Sequence, residues 1–220
     1  VDLFPRAWTA LQEAVRSLEG GQWVAPSGCT GWLVQDLVAH LIIDAQDVLV
    51  TLASTTTTTA PATLTETSYW QPAGEAPDGT DEESAFVRRS AAAYGTTAWL
   101  HHHFDDLAVA AVRAAAAADP AARVETRDEV MTVPSYLAMC VLETTLHHLD
   151  LIAHLSGMDG PPAETLAASR AMVADIAGFA VAPSLDDRAA LLVTTGRRAP
   201  SATETAALGE FAAKLPVVLG

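Results

Sequence analysis

Apolar and polar residues alternate with a helical period over most of the chain, and the breaks in that pattern fall at glycine and proline. Leu3, Trp8, Leu11, Val15 and Leu18 recur at helical spacing and stop at Gly20-Gly21, which predicts a first helix over residues 3–18. Beyond a turn with Pro26, Ser27 and Gly28, Thr30 is placed to cap "GWLVQDLVAHLIIDAQDVLVTLA". The apolar residues of that segment cover more than one stripe, so a second helix over 31–53 should be central. The period is lost in "STTTTTAPATLTETSYWQPAGEAPDGT", residues 54–80, which reads as a long loop, either disordered or a lid. Tyr69 and Trp70 suit partial packing over a site.

Helical periodicity returns at Asp81 and Glu83 and runs to about Asp119, weakest near Gly95 and closed by Pro120. "ARVETRDEVMTV" then alternates around a charged turn, the pattern of a short hairpin. Thr132 and Pro134 supply the cap and early-turn proline of a fourth long helix, "PSYLAMCVLETTLHHLDLIAHLSG", ended by Gly157. Shorter helices are expected at about 163–179, 184–194 and 202–214. The fold class expected is all-α: a four-helix bundle with a long inter-helix loop, a short β-hairpin and extra C-terminal helices. Residues 1–156 would form the bundle and residues 157–220 a helical extension packed on it.

Composition narrows the classes of partner. Half of the residues are hydrophobic, yet no charge-free apolar run reaches the ~18 residues of a membrane span. A net charge of −15 repels phosphate backbones and anionic lipid, so neither nucleic acid nor membrane is expected as a partner. A small-molecule substrate is expected instead, with a homodimer allowed. The first residues lack the basic and apolar segments of a secretory signal, and two cysteines are too few for a disulfide framework; a cytoplasmic location is the expectation. Basic residues are nearly all arginine, with Lys214 the one lysine, which suits a GC-rich genome.

The candidate chemistry lies on two of the helices. Tyr136, Cys140, Glu143, His147, Asp150, Leu151 and His154 share a face, bordered by Leu142, Leu146 and Leu149. An acid and an imidazole one turn apart are ordinary on a helix surface, but buried ones are costly unless paired or bound to a metal. The second helix carries Asp36, His40 and Asp44 at one-turn intervals among apolar residues. His40 with Glu143 and His147 makes a candidate His-Glu-His set, the ligand type and number of an open site for zinc or a similar divalent ion. Asp150 either orients a ligand through a hydrogen bond or stabilises the helix end, and Asp36 could serve His40 in the same way. His148 lies about 100° around the helix from His147 and is not expected to be a ligand. The three residues His101–His103 point in three directions. Cys140 either approaches the metal or fills space as a small apolar residue.

"SGCTGWLVQDLVAHL" together with "ETTLHHLDL" resembles the N-terminal metal-binding domain of the mycothiol-dependent maleylpyruvate isomerase family, within the DinB-like superfamily. That family shows a Gly-Trp, an Asp-Leu and a histidine in its second helix, and Glu-x-x-x-His-x-x-Asp in its fourth. The resemblance covers the order of elements over residues 1–156. It implies a metal-binding bundle with a divalent ion, usually zinc, held by the residues matching His40, Glu143 and His147. It also implies mycothiol as a thiol cosubstrate and an actinobacterial source. Asp150 matches the family's trailing aspartate. "LLVTTGRRAP" resembles a segment of the family's shorter relatives, whose arginine is associated with substrate binding; Arg197 is thereby a candidate catalytic residue and Arg198 a candidate contact to the thiol cosubstrate. Cations at an exposed helix end are the plainer account of both. The short remainder after that segment leaves the isomerases' full C-terminal domain absent or reduced, which puts the isomerase activity itself in question. A metal that activates a thiol for isomerisation or S-transfer is the leading expectation. A metal acting through water or on a carbonyl, and a non-catalytic ligand-binding bundle, are the alternatives.

Overall fold

Thr132 accepts a hydrogen bond from the Ser135 amide and Pro134 follows at the second helical position, so the helix that carries most of the candidate site starts where its sequence places it. That helix, α5 (Val133–Leu151), is one of eight in the computed structural model, which describes residues 3–56, 61–72, 77–126 and 128–219. The others are α1 (Leu3–Arg16), α2 (Val34–Ala53), α3 (Glu82–Ala93), α4 (Thr97–Ala117), α6 (Ala163–Ala177), α7 (Asp187–Thr194) and α8 (Ala202–Leu208). α1 packs on α4 and α5, and α2 packs on the same two, which closes a ring of four helices in the spatial order α1, α4, α2, α5. α3 lies against α2, and α6 against α5 and α1. The expected all-α bundle with a hairpin and C-terminal helices is therefore the architecture observed.

Three details depart from the sequence reading, each for a local reason. Thr30 does not cap α2. Gly31 takes a left-handed conformation (φ +79°), and the helix begins one turn later, where Asp36 Oδ2 accepts the Leu33 amide at 2.9 Å. Asp36 is thereby spent on the backbone rather than on His40. The third helical stretch is split into α3 and α4 by Gly95 (φ +69°), with Asp81 and Thr96 capping the two starts. α5 stops at Leu151, several residues short of Gly157, so His154 leaves the helical face and is exposed.

The predicted hairpin forms from β2 (Arg123–Thr126) and β3 (Glu129–Thr132), paired in antiparallel register with Val124 opposite Met131. Thr55–Thr56 adds a third strand, β1, antiparallel to β2, so the start of the threonine run is sheet rather than loop. Thr63 ties the following segment to the hairpin by donating its amide to the Val130 carbonyl at 2.8 Å. Trp70 packs against two apolar clusters. The rest of the expected long loop, residues 57–60 and 73–76, lies outside the described residues.

Those two clusters explain why α5 is buried on nearly every side. The larger fills the bundle with Phe4, Trp8, Leu11, Leu37, Leu41, Phe104 and Tyr136. The smaller gathers Leu142, Leu146 and Leu149 of α5 with Val173, Leu191, Val217 and Leu219 from the C-terminal elements. Burying a leucine side chain contributes about 1.5–3 kcal/mol, so the leucine stripe holds α6, α7 and the final segment against the bundle. The polar stripe runs between the two apolar ones. Among the described residues, no helix is long and apolar enough to cross a membrane.

Candidate metal centre

Helical spacing puts His40 and Asp44 one turn apart on α2, and Glu143 and His147 one turn apart on α5; the packing of these two helices brings the pairs together. His40 Nε2 lies 3.1 Å from His147 Nε2, and Glu143 Oε1 lies 3.2 Å from that same nitrogen. Asp44 Oδ2 lies 3.5 Å from His40 Nε2. One donor atom from each of the four residues falls within 4.8 Å of all the others. Around a tetrahedral zinc ion, with bonds of about 2.0–2.1 Å, neighbouring donors stand roughly 3.3 Å apart. The 3.1, 3.2 and 3.5 Å separations match that spacing.

The rear of His147 is held by a second set of groups. Its Nδ1 lies 3.2 Å from Asp150 Oδ2, leaving Nε2 aimed at His40 and Glu143. Asp150, 1% exposed, is itself clamped by Arg197, whose Nε and Nη2 donate to its two oxygens at 2.8 and 2.9 Å. Such a bidentate fork fixes the carboxylate in both position and plane. Cys29 Sγ approaches from the loop before α2, 3.5 Å from Asp150 Oδ2 and 3.9 Å from His147 Nδ1. That loop is stitched to the end of α5 by the Gly28 amide, which donates to the Asp150 carbonyl at 2.8 Å. Trp32 leans on His40 from the other side, ring centroids 5.0 Å apart.

The electrostatics favour a cation at the front of the cluster. Burial opposes protonation of His147, yet hydrogen bonds to Asp150, Cys29 and Glu143 raise its pKa well above the ordinary value. Burial works against the Glu143 carboxylate too, but the His147 hydrogen bond and charge hold it below the usual range. Burial and the nearby His147 charge push His40 down to about 4, so it is neutral, with an imidazole free to ligate. Asp44 is pushed up, by burial and by the charge of Glu143. Its Oδ2 is buried and takes no hydrogen bond from any described residue. Asp150 is the opposite case: burial would raise it, but the Arg197 charge and the His147 hydrogen bond hold it at about 2. An unbonded buried carboxylate oxygen beside a neutral imidazole, a second carboxylate and a second imidazole is a donor set that fits a divalent cation.

The structure thus gathers His40, Glu143 and His147 at the front, and Asp150 and Arg197 behind them. Arg198 is not among them. Its guanidinium pairs with Glu204 at 2.6 and 2.8 Å on the surface near the start of α8. His148 turns away, 3.1 Å from the Asp159 carbonyl through Nε2. His101 meets Trp23 edge-on, His102 is exposed beside Asp106, and His103 meets the Tyr94 hydroxyl at 2.7 Å, three directions as the spacing requires. Cys140 is buried on the Tyr136 side of α5 and is not one of the four clustered residues. Two participants escaped the sequence reading: Asp44 as a member of the front cluster, and Cys29 behind it. Asp44 carried a usable signal in its position four residues after His40, whereas Cys29 sits on a loop with no period to place it.

A ring of four helices, with two histidines and two carboxylates converging between α2 and α5 in a donor set suited to a metal ion, is a bundle of DinB-like type. The family model for the mycothiol maleylpyruvate isomerase N-terminal domain matches residues 4–152, and the chain belongs to that family. The matched span runs from the start of α1 to the end of α5, so Arg197 lies outside it. No curated protein and no solved structure matches the chain.

Proposed function

We propose that the chain is a metal-dependent enzyme of the mycothiol-dependent maleylpyruvate isomerase type, with zinc held by His40, Glu143 and His147. The observation that carries this reading is the convergence of two imidazole nitrogens and a carboxylate oxygen at 3.1 and 3.2 Å, on a pair of packed helices. A divalent ion there supplies Lewis-acid chemistry: it lowers the pKa of a low-molecular-weight thiol and makes the thiolate available at neutral pH for attack on a small electrophilic substrate.

The chain's own residues do the positioning. Asp150 accepts a hydrogen bond from His147 Nδ1–H and so leaves Nε2 facing forward, where an ion would displace its proton. Arg197 neutralises Asp150 and fixes its plane, which makes it a positioning residue whose contact to the site runs through that carboxylate. Trp32 packs against the His40 ring at a tilt of 51°. Isomerisation and S-transfer both begin from the same thiolate, so one site serves either outcome.

The test is metal analysis of the purified protein beside His40→Ala, followed by turnover assays with and without mycothiol. About one zinc per chain in the wild type, none in the variant, and turnover only with the thiol are expected. Equal metal content in the two proteins would remove the reading; metal-dependent turnover without thiol would replace it with water or carbonyl chemistry at the same ion.

A further inference from the structure

The proposed three-ligand set leaves Asp44 unexplained. It projects from α2 one turn beyond His40, and its donor atom falls within 4.8 Å of those of His40, Glu143 and His147. Its Oδ2 is out of contact with solvent and takes no hydrogen bond from any described residue, although polar atoms in such a place are nearly always paired. His40 Nε2, at 3.5 Å, is the group beside it, and that nitrogen is turned toward His147. A surface carboxylate would turn to water; this one faces inward.

We infer that Asp44 is a fourth protein ligand of the same ion, so that the centre is a two-histidine, two-carboxylate site. The inference rests on the metal reading above and deepens it: a thiol would then enter as a fifth donor to the ion. Charge supports the fourth ligand independently of distance. A divalent ion with two neutral imidazoles and Glu143 alone would bury a net positive charge, which is costly in a low-dielectric interior. Asp44 brings that sum to zero. The charge behind the cluster does not alter the balance, because Arg197 and Asp150 cancel one another. A second oxygen donor also makes the set harder than one with a single carboxylate. It widens the range of first-row divalent metals the site accepts beyond zinc.

Cobalt(II) added to metal-free protein reads both affinity and coordination. Chelator competition gives the dissociation constant, and visible absorption reports whether the ion is four-coordinate or has gained water. Removing a group that only hydrogen-bonds to a ligand costs about 10–100-fold in metal affinity. Asp44→Ala is expected to exceed that range and to weaken the visible bands as water enters, with Asp44→Asn in between. The isosteric Asp44→Asn decides the matter if the alanine variant does not fold. Wild-type affinity and spectrum in either folded variant, alongside loss of cobalt in His40→Ala, would overturn the fourth ligand and leave the three-ligand reading standing. A wild-type protein that takes up no cobalt would overturn both.

Discussion

His147 and His148 are consecutive, both buried, and electrostatically opposite. His147 faces α2 with carboxylates on both sides of its ring, and its pKa is raised well above the ordinary value despite burial. His148 faces the segment after α5, where the Asp159 carbonyl meets its Nε2 and no described residue hydrogen-bonds its Nδ1; burial lowers it to about 4. Desolvation acts on both in the same direction. What separates them is the roughly 100° turn between neighbours on a helix, which gives one ring two acids and the other an uncharged carbonyl. The His147 side is built to hold positive charge, and the His148 side to exclude it.

Breaking the support behind His147 should have the largest effect. In Arg197→Leu the Asp150 carboxylate stays buried with one partner gone, and loss of one member of a buried pair costs about 3–5 kcal/mol. Denaturant unfolding of metal-free protein should show a loss of that size, and cobalt affinity should fall as well, since His147 is no longer oriented. Full stability in this variant would mean that the fork between Arg197 and Asp150 does not hold the rear of the site.

The His148 side predicts a pH dependence of definite sign. Its folded pKa of about 4 lies below the ordinary 6.5, so between those values the unfolded chain carries a proton that the folded chain does not. Stability is therefore full above pH 6.5 and falls as pH drops through the window toward 4. The gap corresponds to about 3 kcal/mol at most. Arg188 adds to the depression, while the charge of Asp159 and the bond to its carbonyl oppose it. His40 is lowered to about 4 as well and acts in the same sense, so the reading must come from wild type minus His148→Gln. That difference should steepen across the window; a flat difference would erase the contrast between the two histidines.

How much of this was written in the sequence depends on whether a residue belongs to a helix. The stripe of Glu143, His147 and Asp150 is legible because a 3.6-residue period fixes which side chains share a face. The pairing of that stripe with His40 rested on ligand type and number and on the resemblance to a family, since periodicity does not say which helices pack. Asp44 was visible at helical spacing, but spacing does not show that its oxygen turns inward and stays unbonded. Asp36 misleads for a similar reason: it lies one turn before His40, yet the Leu33 amide claims it. Arg197 and Arg198 are adjacent in sequence and differ in tertiary partner and in exposure. Cys29 and Gly28 come from a loop, where no period operates.

Gly28 is the place where that loop meets the site, and it offers a smaller test. A Cβ added there would lie 2.6 Å from Asp150 Oδ1 and 2.8 Å from the Asp150 Cα, too close to either. The backbone contact does not relax by side-chain rotation. Gly28→Ala should therefore cost about 1–3 kcal/mol by overpacking, and shift cobalt affinity in the same direction as Arg197→Leu but less far. An unchanged unfolding midpoint would show that the end of α5 is free to move, and that His147 owes its orientation to Arg197 and Asp150 alone.

Arg198→Ala is the smallest expected effect and the control for Arg197→Leu. The two arginines are adjacent and each makes a two-pronged contact with a carboxylate, so a count of ion pairs would rate them equal. Exposure makes the difference. The Arg198 side chain is 42% exposed, and an ion pair at the surface is screened by water and salt, with the entropy of two long side chains set against it. Its loss should leave the unfolding midpoint and the cobalt affinity where they are in moderate salt. A drop in cobalt affinity would instead place Arg198 in communication with the centre through α8, and would put the rear support of His147 on both arginines rather than on one.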